Sequence, residues 1–120
     1  MGNLYRFVEP LVLLLLKKKG RSYGYDLAGD LRQHALTDAE IERAALYRTL
    51  RALEANGKVV SEWELDQGGP ARRVYSLTRA GEEHLKEWGT VLEHVAKSMN
   101  RFVKEVRALP DTRRRAAARR

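Results

Sequence analysis

The chain has 120 residues, 43% of them apolar, a net charge of +7 and no cysteine. This length fits one domain with a modest core, and the lack of cysteine excludes a disulfide framework, a thiolate nucleophile and a Cys-based metal site. The last ten residues hold five Arg against one Asp, so +4 of the net charge belongs to a tail.

The longest aliphatic run, residues 11–16, is too short to span a bilayer, and no Ala-x-Ala cleavage pattern follows it; a cytoplasmic protein is expected. In chain order, Leu4, Tyr5, Phe7 and Val8 make the N-terminal arm too apolar for a free tail. A first helix starts at Glu9-Pro10, where proline needs no N–H donor, and stops at Gly20. It is apolar all round, as expected of a helix covered on two sides, by its own domain and by a second subunit. Lys17, Lys18 and Lys19 suit its C-terminal dipole or a phosphate. Ser22 can cap a second helix over residues 23–34, with Leu27 and Leu31 facing inward.

A third helix is expected over residues 41–57. Thr37 to Glu40 also match a capping box that would start it earlier, but a start near Ile41 leaves room for the turn that a helix-turn-helix requires. At 100° per residue, Leu46, Leu50 and Leu53 share one stripe, while Ala44, Tyr47, Arg48, Arg51 and Ala55 lie opposite. One face suits a core and the other a polyanion.

From Lys58 the period changes to two. Val59, Ser61, Trp63 and Leu65 alternate with Val60, Glu62 and Glu64, and a second alternating run covers residues 71–77 beyond a glycine-rich tip. Trp63, Tyr75 and Leu77 are expected to form the core under this hairpin. Thr78 then caps a long helix over residues 79–109 that ends at Pro110. Leu85, Trp88, Leu92, Val95, Met99, Phe102 and Val106 follow in alternating steps of three and four, a heptad seam that calls for a partner helix. The resulting fold class is mainly α with a two-stranded β-hairpin wing: a winged helix-turn-helix over residues 1–78, a dimerisation helix over residues 79–109 and a basic tail over residues 110–120.

Four stretches in this order resemble PadR-type transcriptional regulators. They are Tyr23-Gly24-Tyr25-Asp26-Leu27 in the second helix, Leu46-Tyr47-Arg48-Thr49-Leu50-Arg51-Ala52-Leu53-Glu54 with Gly57 in the third, Gly68-Gly69-Pro70-Ala71-Arg72-Arg73-Val74-Tyr75 in the wing, and Leu77-Thr78-x-x-Gly81 entering the last. The resemblance covers roughly residues 8–90 and implies a dimeric DNA-binding repressor of the short form, in which a single C-terminal helix replaces an effector domain. Ala44-Ala45 depart from it, since a Gly or Ser/Thr is common there.

Physical chemistry points to DNA independently. Small Ala44 allows close approach to the major groove, and Arg43, Arg48 and Arg51 can reach bases or phosphates, with Arg48 the leading base contact. The ring of Tyr47 can pack while its hydroxyl donates to a phosphate; Lys58 and Tyr23 are further backbone contacts. Gly68 removes bulk at the wing tip. Arg72 and Arg73 point to opposite faces of one strand, so one is expected to meet DNA and the other an acid such as Glu62 or Glu64. Trp88, a heptad position near a two-fold axis, is either interface packing or the wall of a pocket for a flat aromatic effector. His34, His84 and His94 lack metal-ligand spacing, no phosphate-binding glycine loop occurs, and no catalytic constellation is visible. No cofactor is expected. A protein-docking winged helix and a small-molecule-binding protein without an operator are the alternatives to a DNA-binding regulator.

Overall fold

The computed structural model describes residues 7–33, 43–65 and 69–111. Among the described residues, four helices and three strands follow in the order α1 (Val8–Lys19), β1 (Ser22–Tyr23), α2 (Gly24–Gln33), α3 (Arg43–Ala55), β2 (Val59–Glu64), β3 (Arg72–Leu77) and α4 (Arg79–Ala108). Chain contacts divide it into two units, Met1–Trp88 and Gly89–Arg120. Residues 1–6 of the expected N-terminal arm, the start of the third helix, residues 66–68 of the wing tip, Gly68 among them, and residues 112–120 of the basic tail lie outside the described residues; Val8, expected in the arm, is instead the buried first residue of α1.

α1 is the central element of the first unit. Val8, Leu11, Val12, Leu13, Leu15 and Leu16 are all buried by the chain's own residues, which is why a helix with no polar face is stable here. It ends at Gly20, whose φ of 81° is in the left-handed region and whose N–H donates to Leu16 O at 2.8 Å, closing the last turn. Of the three lysines that follow the aliphatic run, Lys17 pairs with Glu82 at 2.6 Å and Lys19 with Asp30. The Lys17 hydrogen bond, and then its charge, hold Glu82 below the usual carboxylate range.

Leu27 and Leu31 of α2 and Leu46, Leu50 and Leu53 of α3 complete the core with Val59 and Tyr75 of the sheet. The leucine stripe read from the sequence is therefore the buried face of α3. Truncating one such side chain, Leu50 for example, removes on the order of 2–5 kcal/mol. α3 ends at Asn56-Gly57, where Gly57 has a φ of 72° and Lys58 N–H returns to Leu53 O at 2.8 Å.

The sheet corrects the expected start of α2. Ser22 and Tyr23 form strand β1, antiparallel to β3 with Ser22 opposite Tyr75 and Tyr23 opposite Val74, and the strand order is β1-β3-β2. Ser22 Oγ donates to Tyr23 O at 3.2 Å. Two residues carry no readable period, and their strand character comes from the edge of β3, whose backbone groups they satisfy. The hairpin has the expected alternation, with Val59 opposite Leu77, Ser61 opposite Tyr75 and Trp63 opposite Arg73. Trp63 is a second correction: it is 64% exposed and not in the core. It lies four pairs along the ladder from Val59, past the part of the hairpin that the helices cover.

Thr78 caps α4 as expected. Its Oγ1 accepts from Gly81 N–H at 3.1 Å and donates to Gly57 O at 2.6 Å, so one hydroxyl joins the start of α4 to the end of α3. Leu85 and Trp88 are half-buried against the core of their own unit. In the second unit, Met99, Phe102 and Val106 are 60%, 66% and 49% exposed, and Leu92 and Val95 are half-buried.

Candidate nucleic-acid interface

α3 carries its buried leucines on one side, and on the other Arg43, Ala44, Arg48 and Arg51 are exposed. Ala45 is buried with the leucines, so only one of the two adjacent alanines belongs to the outward face. Four of the residues singled out from the sequence thus share one surface, and the absence of a side chain beyond Cβ at Ala44 leaves the first described turn of the helix open to close approach.

Tyr47 lies at the border of this face and packs partly on the core. Its ring runs along Gly24, where an added Cβ would lie 2.9 Å from Cε1 and 3.0 Å from the hydroxyl. Glycine at the start of α2 is what admits this ring. Tyr23, Tyr25, Tyr47 and Tyr75, with Gly24, Asp26 and both wing arginines, Arg72 and Arg73, line a cleft of about 500 Å³ beside this face. Burial pushes the Tyr75 phenol above its ordinary value, with the nearby Arg73 charge acting against the shift.

The two wing arginines separate. Arg72 lies with its guanidinium 5.5 Å from the Tyr23 ring centroid. Arg73 Nη2 faces Glu54 Oε1 of α3 at 3.6 Å. The acid that engages it is therefore Glu54, not Glu62 or Glu64, because the Arg73 face of the hairpin is the one turned to α3. Glu64 instead faces Arg21 at 3.7 Å. Lys58 sits at the C-terminal turn of α3, away from its first turn, with its N–H and C=O both bonded to backbone.

Tyr25 is a residue the sequence reading passed over. It is 73% exposed, and the Arg43 guanidinium stands 5.9 Å from its ring centroid. Its signal is an aromatic placed off the Leu27 and Leu31 stripe, where nothing in the core requires it. Trp88 is half-buried; its Nε1 donates to Glu9 Oε1 at 2.9 Å, the same oxygen meets His84 Nε2, and the His84 and Trp88 rings meet edge-on at 6.4 Å. Among the described residues no group of side chains can hold a metal ion, and no helix is long and apolar enough to cross a membrane.

A helix with a basic, sterically open face, preceded in the chain by two helices packed into one core with it and followed by a two-stranded wing, defines a winged helix-turn-helix protein, the class that reads duplex DNA by placing such a helix in the major groove. The chain belongs to the transcriptional regulator PadR-like family, whose model matches residues 12–87. It is 38% identical over 99 residues to the transcriptional regulator Rv3488 of Mycobacterium tuberculosis, covering 82% of this chain and 89% of the relative. Among solved structures, a transcriptional regulator from Clostridium thermocellum has a TM-score of 0.75 at 28% identity, covering 86% of this chain and 97% of its own. Bacillus subtilis PadR in complex with operator DNA shares the fold, with a TM-score of 0.61 at 23% identity over 69% of this chain and 46% of its own. The protein is thus a transcriptional regulator and not an enzyme.

Proposed function

We propose that the protein is a homodimeric, sequence-specific DNA-binding repressor of the cytoplasm, released from its operator by a small-molecule effector. The observation that carries this reading is the outward face of α3, where Arg43, Ala44, Arg48 and Arg51 are exposed on a helix whose other side is fixed in the core. In the major groove, Arg48 donates to a base edge, Arg43 and Arg51 reach bases or phosphates, and Ala44 sets the distance of approach. Tyr23, Arg72, Lys58 and the Tyr47 hydroxyl serve the sugar-phosphate backbone, and Gly68 lets the wing tip come close to the minor groove. The basic residues 110–120 add attraction that does not depend on sequence.

Dimerisation of the helix over residues 79–109 is supported by the heptad seam from Leu85 through Trp88, Leu92, Val95, Met99 and Phe102 to Val106, whose distal members are exposed apolar side chains on a single chain. A two-fold pair of winged-helix domains over residues 1–78 reads half-sites about 34 Å apart, or a multiple of that, in a pseudo-palindrome. A flat aromatic effector against Trp88 changes that spacing, and with it the affinity; its contact is the indole face, since the indole N–H is already held by Glu9.

Selection of bound duplexes from a random pool tests the reading. Enrichment of a pseudo-palindrome is expected, and failure to enrich any sequence refutes it. On the selected duplex, Arg48→Ala is expected to cost about 1–3 kcal/mol and to relax selectivity at one base position. Unchanged affinity and selectivity remove Arg48 from the base-reading role.

A further inference from the structure

A group of four side chains joins the outer part of the wing to the recognition helix. Glu54 is in the last turn of α3, Ser61 and Trp63 are on β2, and Arg73 is on β3. Ser61 Oγ donates to Glu54 Oε2 at 2.6 Å, and Arg73 Nε donates to Ser61 Oγ at 2.8 Å. Arg73 Nη2 stands 3.6 Å from the other oxygen of Glu54. The face of the same guanidinium lies 5.4 Å from the centroid of Trp63, its cross-strand partner. Both strands and the helix are therefore tied through one arginine, whose edge is turned to Ser61 and Glu54 and whose face is on the indole.

The hairpin needs such a tie. Val59, Val74 and Tyr75 are buried and Leu77 is half-buried, but Val60, Trp63 and Leu65 are exposed, so beyond the Glu62–Val74 pair, the last that β1 also joins, the two strands have little more than their own ladder, and two strands alone are marginal in water. Arg72 is the neighbouring residue and faces the other way, over the Tyr23 ring. Any tilt of the hairpin moves Arg72 relative to Arg48.

We propose that Glu54, Ser61, Trp63 and Arg73 form a brace that sets the angle of the wing against the recognition helix, and that Arg73 is a positioning residue, leaving Arg72 as the wing arginine that meets DNA. The proposal rests on the DNA-binding reading above for its effect on affinity, and on geometry alone for its effect on the wing. Preorganisation is the physical content: a wing already held at the bound angle loses less freedom on association than one that must be ordered there.

Four substitutions separate a brace from a phosphate contact. Arg73→Lys keeps the charge but loses the planar fork that meets Ser61 and Glu54 together. A brace predicts about tenfold weaker binding to the selected duplex, and a phosphate contact predicts near-retention. Glu54→Gln removes a negative charge next to a polyanion, so electrostatics alone predicts tighter binding, and the brace predicts weaker. Arg72→Ala is expected to lower the slope of log K against log salt by about one, and Arg73→Ala to leave it unchanged. Tighter binding by Glu54→Gln together with a slope lowered by about one in Arg73→Ala overturns the proposal. Amide hydrogen exchange on the DNA-free protein gives a readout that survives failure of the DNA reading. Arg73→Lys and Arg73→Ala should speed exchange in the ladder around Glu62 and Glu64 by several-fold and Arg72→Ala should not; unchanged exchange in the Arg73 variants refutes the brace.

Discussion

Gly81→Ala tests the junction on which the placement of α3, the wing and α4 depends. A Cβ at residue 81 would lie 2.0 Å from Lys58 O, 3.0 Å from Lys58 C and 3.1 Å from Leu77 Cδ2. The first obstacle is backbone, not the end of a flexible side chain, so α4 and the turn after α3 must separate by about 1 Å to bring that contact to 3.0 Å. The same carbonyl accepts Thr78 N–H at 3.1 Å, and Thr78 Oγ1 holds Gly57 O and Gly81 N–H. Separation therefore weakens about three hydrogen bonds of roughly 0.5–1.5 kcal/mol each, on top of an overpacking cost of about 1–3 kcal/mol. Alanine returns roughly 1 kcal/mol of helix propensity, leaving a net loss of about 2–6 kcal/mol. Gly29→Ala is the control, since Gly29 is inside α2 and nothing lies within 4 Å of its added Cβ; it is expected to gain about 0.5–1 kcal/mol. Urea unfolding at one fixed protein concentration reads both, and opposite signs are expected. A Gly81→Ala protein as stable as the parent refutes the close approach as the reason for glycine.

Two further outcomes follow from the exposed seam and the buried phenol. If the proposed dimer pairs through this seam, Phe102→Glu turns it into a monomer in light scattering, because losing roughly 1.5–3 kcal/mol of burial per copy raises the dissociation constant by about two to four decades; a dimer that persists at micromolar concentration rules out this helix as the interface. Burial holds the Tyr75 pKa above its ordinary value of 10.0, so the folded state favours the neutral phenol. That stability is complete below the ordinary value and is lost as pH rises through the folded one. Stability measured against alkaline pH should fall in step with tyrosinate absorbance, and Tyr75→Phe should flatten the fall; an identical profile in the variant refutes the linkage.

The division of labour between Arg72 and Arg73 shows how far chain order can be read and where it ends. Strand alternation placed the two arginines on opposite faces, which the register of β3 against β2 agrees with. Which of them meets an acid depends on which face turns toward α3, and the partner, Glu54, is on a different element. The same holds for Trp63: a period of two assigned it to the face of Val59 and Tyr75, but the extent of the core along that face is fixed by where the helices end, not by the strand.

By itself the sequence determined the elements whose physics is local. The leucine stripe of α3, the cap at Thr78, the stops at Gly20 and Gly57, the change of period at Lys58 and the heptad seam of α4 all follow from side-chain spacing and from backbone conformations that particular residues favour. Tertiary structure alone decided β1, which exists because β3 offers an edge; the ring of Tyr47 on Gly24; the Tyr25 ring beside Arg43; and the approach of Gly81 to Lys58 O. Each depends on a contact between elements separated along the chain. Spacing within one element states which face a residue occupies, and only packing states what that face meets.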